Sequence, residues 1–262
     1  MSERCAVIFF AWGGFYVRET EQCILKSKPI QSYDLILLTD RETDVSAIEK
    51  WFKSIIRVPF ESSGLIRKTE LFGYLPDEYD LFLLLDSDTV VLEEISLGFE
   101  KASEYGIAAA PAYPYALDSF YNFAEVMKRE NVPLRGQLQY NSGVIFFKKT
   151  TAVKAVLERW KDLAIKYQKL VYNDQPFFSL SMEILVFNPY TLPVTYNYRG
   201  SGEHICGDVK IWHSYHQMPS TINKEPKAWP PRRAYPLTLL KYDFNKFLSW
   251  PLRFIKKITI RN

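Results

Sequence analysis

Asp80-Leu81-Phe82-Leu83-Leu84-Leu85-Asp86-Ser87-Asp88-Thr89 sets five consecutive apolar residues directly before two carboxylates. An unbroken apolar run of that length, without polar alternation, reads as a strand buried on both faces, as in a parallel sheet covered by helices. In open α/β sheets, ligands bind outside the carboxyl ends of the strands. Asp86 and Asp88 stand at such an end. Carboxylates spaced i, i+2 there can jointly hold a hard divalent cation and leave positions for water or phosphate oxygens. Taken alone, the pair also fits turn-forming aspartates after a strand, so the flanking chain decides.

Upstream, strand and helix signals alternate. Ala6 to Phe10 reads as a strand, Val17 to Lys26 as a helix and Leu35 to Leu38 as a strand. A helical stretch from Val45 to Phe52, a strand from Ile55 to Val58 and a helix from Leu65 to Leu75, ended by Pro76, complete the approach to Leu81. Such alternation predicts an α/β, Rossmann-like three-layer fold with a mostly parallel central sheet flanked by helices. Downstream the rhythm loosens. Ile95 to Tyr105 reads as a helix and Ile107 to Ala110 as a short strand ending at Pro111. A Tyr- and Pro-rich tract from Ala112 to Leu117 is expected to be irregular. Val144 to Phe147 is a further strand and Ala152 to Tyr167 a helix, and Asn173 or Asp174 is placed to cap a helix starting near Pro176.

A chain of 262 residues, 47% hydrophobic, suits one large domain with an appendage. Most of the 16% aromatic content is expected in the core, although such rings also stack on flat ligands. Cys5, Cys23 and Cys206 are sparse and lack metal-ligand spacing, which suits a reducing compartment. Ala6 to Trp12 is short and lacks a cleavage pattern, and no apolar run reaches the roughly 18 residues of a membrane span. A cytoplasmic location is therefore expected. The net charge of +3 hides an asymmetry: from Arg232 to Asn262 there are eight Lys/Arg against one acid, giving +7 and leaving −4 for residues 1–231. The expected organisation is a catalytic domain over 1–231 and a basic, aromatic-rich tail over 232–262. Tail residues Phe244, Phe247, Leu248 and Trp250 lie on helical spacing interrupted by Pro251, among lysines and arginines. Such segments lie on anionic membranes, pack on their own domain or stay disordered. No recognised nucleic-acid-binding fold accompanies the charge.

Several motifs stand in a fixed order: Trp12-Gly13-Gly14-Phe15-Tyr16 beyond the first strand, Arg67-Lys68, Asp86-Ser87-Asp88, Asn141-Ser142-Gly143-Val144, Asp174-Gln175, and Ile211-Trp212-His213. Over about residues 5 to 216, this order resembles nucleotide-sugar-dependent glycosyltransferases of the GT-A fold, family 8 type (glycogenin-like and bacterial galactosyltransferase-like). The resemblance implies manganese or magnesium held by Asp86, Asp88 and His213, and a nucleotide-sugar donor, usually a UDP-sugar. It also implies Arg67 or Lys68 against the donor phosphate or sugar, and an aromatic ring on the base, with Tyr16 first and Trp12 and Phe15 competing. Ser87 falls within the metal motif. Asn141, Ser142 and Gly143 match a loop that meets the donor sugar, and Asp174 and Gln175 match a pair near the anomeric carbon, with retention of configuration. The acceptor class is a saccharide, lipid-linked or protein hydroxyl. One departure is the segment after His213: in place of a close glycine and Lys-Pro-Trp stands Lys224-Glu225-Pro226-Lys227-Ala228-Trp229, in which Lys227 is the nearest phosphate contact.

Each residue also has a plainer reading. His213 can be a satisfied, partly buried histidine, Arg67 and Lys68 a solvated helix face, and Asp174 a helix cap. Asp86-Ser87-Asp88-Thr89-Val90 also fits the signature of haloacid-dehalogenase-like phosphatases, with Asp86 as nucleophile. That motif belongs after a first strand, and here three strand–helix signals precede it. A non-catalytic sugar-binding protein on the same fold is the other alternative.

Overall fold

The computed structural model describes residues 3–200 and 207–214. Lys227, the expected tail, His204, His216 and Cys206 lie outside the described residues. The chain divides into a larger unit, Met1–Glu203 with Val209–Met218, which carries every element named below, and a second unit, His204–Asp208 with Pro219–Asn262.

The elements run β1 (Cys5–Phe10), α1 (Gly13–Lys26), β2 (Asp34–Thr39), β3 (Ser54–Arg57), β4 (Leu81–Leu85), β5 (Thr89–Val91), α2 (Ser96–Tyr105), β6 (Ile107–Ala116), α3 (Phe123–Arg129), β7 (Leu138–Lys148), α4 (Thr151–Tyr167), α5 (Gln175–Ile184), β8 (Tyr190–Thr191) and β9 (Ile211–His213). Seven strands form the main sheet in the order β3-β2-β1-β4-β7-β6-β8, and β5 pairs with β9 apart from it. β3, β2, β1 and β4 are mutually parallel, whereas β7 runs antiparallel to both β4 and β6. The apolar run Leu81–Leu85 is thus an interior strand, paired on both edges and buried along its whole length.

Alternation along the strands splits the core into two layers. Ile8, Phe10, Ile36, Phe82, Leu84, Ile145 and Phe147 face one side, with α3, α4 and α5 packed on them. Val7, Phe9, Leu35, Leu37, Leu83, Leu85 and Phe146 face the other, under α1 and α2. This is the three-layer arrangement that strand–helix alternation predicts.

Four expectations change. The helix expected at Val45–Phe52 is single turns with a short 310 segment at Glu49–Trp51. Asp44 captures the Ser46 N–H at 3.0 Å, and Lys53 N–H already joins Leu35 O, so no room remains for a longer helix. The helix expected at Leu65–Leu75 is wound as 310 over Gly64–Tyr74. There the Thr69 hydroxyl donates to Ile66 O, and Lys68, Thr69, Glu70 and Leu71 are buried consecutively, which a one-faced α-helix does not allow. The Tyr/Pro tract is ordered strand: β6 continues to Ala116. Its prolines are accommodated by register shifts on either side of Pro111. Finally, Asn141-Ser142-Gly143 lies inside β7. An antiparallel neighbour of β4 delivers its early residues to the carboxyl end of β4.

Candidate active site

β4 ends at Leu85, paired with Val144 of β7. The next residue stays tied to β7, since Asp86 N–H donates to Gly143 O at 2.7 Å. The chain then turns, with the Thr89 hydroxyl donating to Asp86 O at 2.7 Å, and enters β5. β5 pairs antiparallel with β9 so that Thr89 faces His213. That register carries a histidine more than a hundred residues away to the aspartate pair. His213 Nε2 lies 3.3 Å from Asp88 Oδ1 and 3.9 Å from Asp86 Oδ2. One ligand atom from each of the three residues falls within 4.8 Å of the others.

The histidine ring is aimed by a residue the motif pattern does not contain. Its Nδ1 is 2.7 Å from Asn197 Oδ1, while Asn197 Nδ2 donates to Pro111 O at 3.4 Å. The carboxamide is therefore oriented with its oxygen toward the ring, so Nδ1 carries the proton and the Nε2 lone pair faces the carboxylates. Two lone-pair-bearing atoms at 3.3 Å are brought together favourably by a cation between them, a proton on Nε2 or a metal ion. Burial by itself would raise the Asp88 carboxyl, but a protonated His213, with Arg199 and Lys68, outweighs it and holds the group well below the usual carboxylate range. Gly143 supplies the space: a Cβ there would collide with Asp86 Oδ2 and stand 2.7 Å from His213 Cε1. Two carboxylates, one anchored imidazole and a glycine-made cradle fit a divalent cation such as manganese or magnesium.

Lys68 joins this cluster to a second one. Its ammonium lies 3.2 Å from both Asp86 oxygens and 3.3 Å from Asp174 Oδ2. Lys68 and Asp174 are 6% and 2% exposed, so this is a buried ion pair and not a solvated helix face. Burial alone would depress the lysine, yet Asp174 and Asp86 push it up to about 12. Asp174 moves the other way from a simple paired carboxylate: burial raises it, with Lys68 pulling it back. Lys68 meets Asp174 Oδ2 as an ion, and the Ser142 hydroxyl adds a hydrogen bond to the same carboxylate. The capping role goes to the neighbour, since Asn173 Oδ1 accepts the Gln175 N–H at 2.8 Å. The Asp174 side chain makes no cap bond, and its carbonyl is pinned by Trp160 Nε1 at 2.9 Å. Gln175 Oε1 accepts from Asn141 Nδ2 at 3.1 Å, and Asn141 Oδ1 accepts from Gly143 N–H at 2.9 Å. The expected Asn141–Gly143 and Asp174–Gln175 elements thus touch.

Arg67 separates from its neighbour. Its guanidinium is held by Asp40 at 3.0 Å and Ser62 O at 3.2 Å, and it lies over the rings of Trp12 and Phe60. It braces the aromatic wall and does not reach the carboxylate cluster, because consecutive residues of a helical segment point in different directions.

These groups surround one cavity of about 370 Å³. Trp12, Phe15 and Tyr16 line it together with Ser87, Asn141, Ser142 and Gln175. α1 begins at Gly13, earlier than expected, where a φ of +69° makes the tight exit from β1 that glycine tolerates. That start puts Phe15 and Tyr16 on its first turn, and Tyr16 packs against Trp12 with ring centroids 4.6 Å apart. Sequence reasoning missed Asn197, Arg199 and Glu19, all near or in this cavity. Asn197 and Arg199 flank Tyr198, which bridges to Trp212 in β9. An i, i+2 polar pair beside a strand carries no signal until its partner strand is known.

No protein-family model matches the chain, and no curated protein matches it in sequence. Solved structures do. A galactosyltransferase, LgtC, in complex with donor and acceptor sugar analogues superposes with a TM-score of 0.55 at 12% identity, covering 79% of this chain and 86% of that one. The glycosyltransferase GlyE of Streptococcus pneumoniae superposes with a TM-score of 0.50 at 19% identity, covering 76% of this chain but only 47% of its own. The chain therefore has the Rossmann-like α/β fold of GT-A glycosyltransferases.

Proposed function

We propose that this chain is a metal-dependent glycosyltransferase that moves a sugar from a nucleotide diphosphate donor, a UDP-sugar, to a hydroxyl acceptor with retention of anomeric configuration. The observation that carries this reading is the junction of two clusters: Asp86, Asp88 and His213 on one side, Asp174 and Gln175 on the other, with Lys68 between them. A phosphatase with Asp86 as nucleophile would leave the second cluster without a role.

Asp86, Asp88 and His213 would hold manganese or magnesium, which when bound neutralises charge on a diphosphate leaving group. Lys68 sets a fixed ammonium beside the same region, an electrostatic contribution that needs no reorganisation during the reaction. Asp174, held at the junction of the two clusters by Lys68, would position a hydroxyl of the donor sugar. Gln175 Oε1 is already engaged by Asn141, which lowers its nucleophilicity and leaves its NH2 group to donate. The reaction then proceeds by same-face displacement: the acceptor oxygen bonds the anomeric carbon, the carbon–phosphate oxygen bond breaks, and the acceptor proton passes to the departing phosphate. The residues supply positioning and electrostatics. Trp12, Phe15 and Tyr16 would stack on the base, and Gly13, Ser142 and Gly143 let backbone come near the donor. Arg67 supports that wall from behind. Lys227 stays a proposed phosphate contact on sequence grounds.

No helix among the described residues is long and apolar enough to cross a membrane. We assign the basic stretch 232–262 a peripheral contact with the cytosolic face of a membrane, where it would bring a lipid-linked acceptor to the site.

The deciding experiment measures binding and turnover of a nucleotide-sugar panel with and without manganese, in wild type and Asp88→Asn. Manganese-dependent binding and turnover of a UDP-sugar, lost in Asp88→Asn, is expected. Metal-dependent binding without transfer or hydrolysis would favour a sugar-binding protein. Stable phosphate transfer to Asp86 would favour the phosphatase.

A further inference from the structure

We propose that a second cleft, opening beside the donor cavity and rimmed by Tyr113, Tyr121 and Tyr172, is the acceptor subsite, and that it takes the neutral terminal pyranose of a saccharide. This rests on the transferase reading above and deepens it.

The cleft encloses about 670 Å³, room for two sugar rings. Gln175 and Arg199 belong to its wall and to the wall of the donor cavity alike. A ligand filling it ends against Gln175, beside the carbon to be transferred, which is where an acceptor hydroxyl must arrive for direct displacement.

The lining describes the ligand. Tyr113, Tyr121 and Tyr172 are 77%, 84% and 78% exposed, although tyrosine gains by covering its ring. They come from three separate segments, β6, the β6–α3 connection and the α4–α5 connection, yet face one space. Tyr121 holds a φ of +36°, a left-handed backbone that costs a ring-bearing residue free energy and is typical of ligand clamps. Asn122 adds hydrogen-bonding capacity. Arg199 is the one charged lining residue among those described, and it lies 3.4 Å from His213. Aromatic faces with amide and hydroxyl groups, and no carboxylate among the described lining residues, match a pyranose, which offers an apolar C–H face ringed by hydroxyls. They do not match a charged peptide or a phosphate headgroup.

The test uses the full chain with UDP and manganese, and saturation-transfer NMR against lactose, maltose and cellobiose, in wild type, Tyr121→Ala, Tyr172→Ala and Tyr172→Phe. At least one disaccharide is expected to bind wild type. Its Kd should rise about tenfold or more in each alanine variant and stay near wild type in Tyr172→Phe, with UDP–manganese affinity unchanged throughout. The subsite is overturned if no disaccharide binds, if the alanine variants bind like wild type, or if they lose UDP in parallel. Failure of wild type to bind UDP–manganese at all would instead remove the transferase reading beneath it.

Discussion

Lys68 carries more of this site than its place in the sequence suggests. Beside Arg67 it reads as half of a basic pair, and nothing in the sequence separates the two; only the winding of Gly64–Tyr74 sends one inward and the other onto Trp12. Replacing Lys68 by Met keeps the volume but leaves Asp86 and Asp174 facing each other unpaired. Breaking a buried pair this way costs about 3–5 kcal/mol, and loss of the fixed charge should cut turnover at least about a hundredfold. The lysine is held above its ordinary 10.5, at about 12, so its stabilising contribution is fully present below 10.5 and is lost as pH rises through about 12. Denaturant unfolding at pH 7 checks the first number, and a Met variant as stable as wild type would contradict it. Asn197 poses the opposite case, a residue invisible in sequence whose role is to aim His213. Asn197→Ala should weaken manganese binding about 10–100-fold while barely changing UDP affinity without metal. His213 stood out only through the motif order that resembles the family, whereas Asp86 and Asp88 stood out because strand-end carboxylates have a chemical signature. The partner that orients a ring has none until β9 and Tyr198 are seen side by side.

At the scale of elements, strands with unbroken apolar runs were readable, and segments whose form depends on neighbours were not. β1, β2, β4 and α4 fall close to expectation. β7 begins earlier than its apolar run, because the polar Asn141 and Ser142 are buried between the β4 end and the start of α5, where Gln175 accepts from Asn141. Gly143 is the price of that approach. Gly143→Ala should leave β7 intact yet abolish manganese binding and turnover, since the methyl group occupies the space between Asp86 and His213. Isothermal titration with manganese, beside an unchanged circular dichroism spectrum, tests this directly. Farther from the site, α3 is fastened to α4 by Glu130, which bonds Arg159, Lys166 and Tyr167 at 2.7, 2.6 and 2.5 Å. Burial would raise this carboxyl, but Lys166, Tyr167 and Arg159 prevail and lower it below 4.5. Its contribution is therefore present above pH 4.5 and lost as pH falls through the lowered native value. Glu130→Gln should cost about 1.5–3 kcal/mol at pH 7, and the gap from wild type should close toward pH 3. A gap independent of pH would mean that packing and not charge fastens the two helices.

Across the whole molecule, the layer order was legible from alternation alone, whereas the antiparallel insertion of β7 was not: apolar strands look alike whichever way they run. That insertion matters because it turns one strand end into a two-sided site. The other molecule-wide feature is charge. Residues 1–231 carry −4 and residues 232–262 carry +7, with Phe244, Phe247, Leu248 and Trp250 among the basic residues. Such a polarity orients a protein on an anionic surface: each Lys or Arg near it contributes about 1 kcal/mol, and the attraction weakens as salt shortens the screening length. The full chain should therefore cosediment with phosphatidylserine-containing vesicles at low salt, bind neutral vesicles weakly, and dissociate as salt is raised. Deleting 237–262 should abolish that binding while leaving turnover of a soluble disaccharide acceptor unchanged, because the described residues that line the two cavities lie before position 214 and the deletion spares Lys227. Retained vesicle binding after the deletion would place the membrane contact elsewhere. Lost turnover on the soluble acceptor would mean that the basic stretch serves the reaction itself, and Lys227 would then be the first residue to substitute.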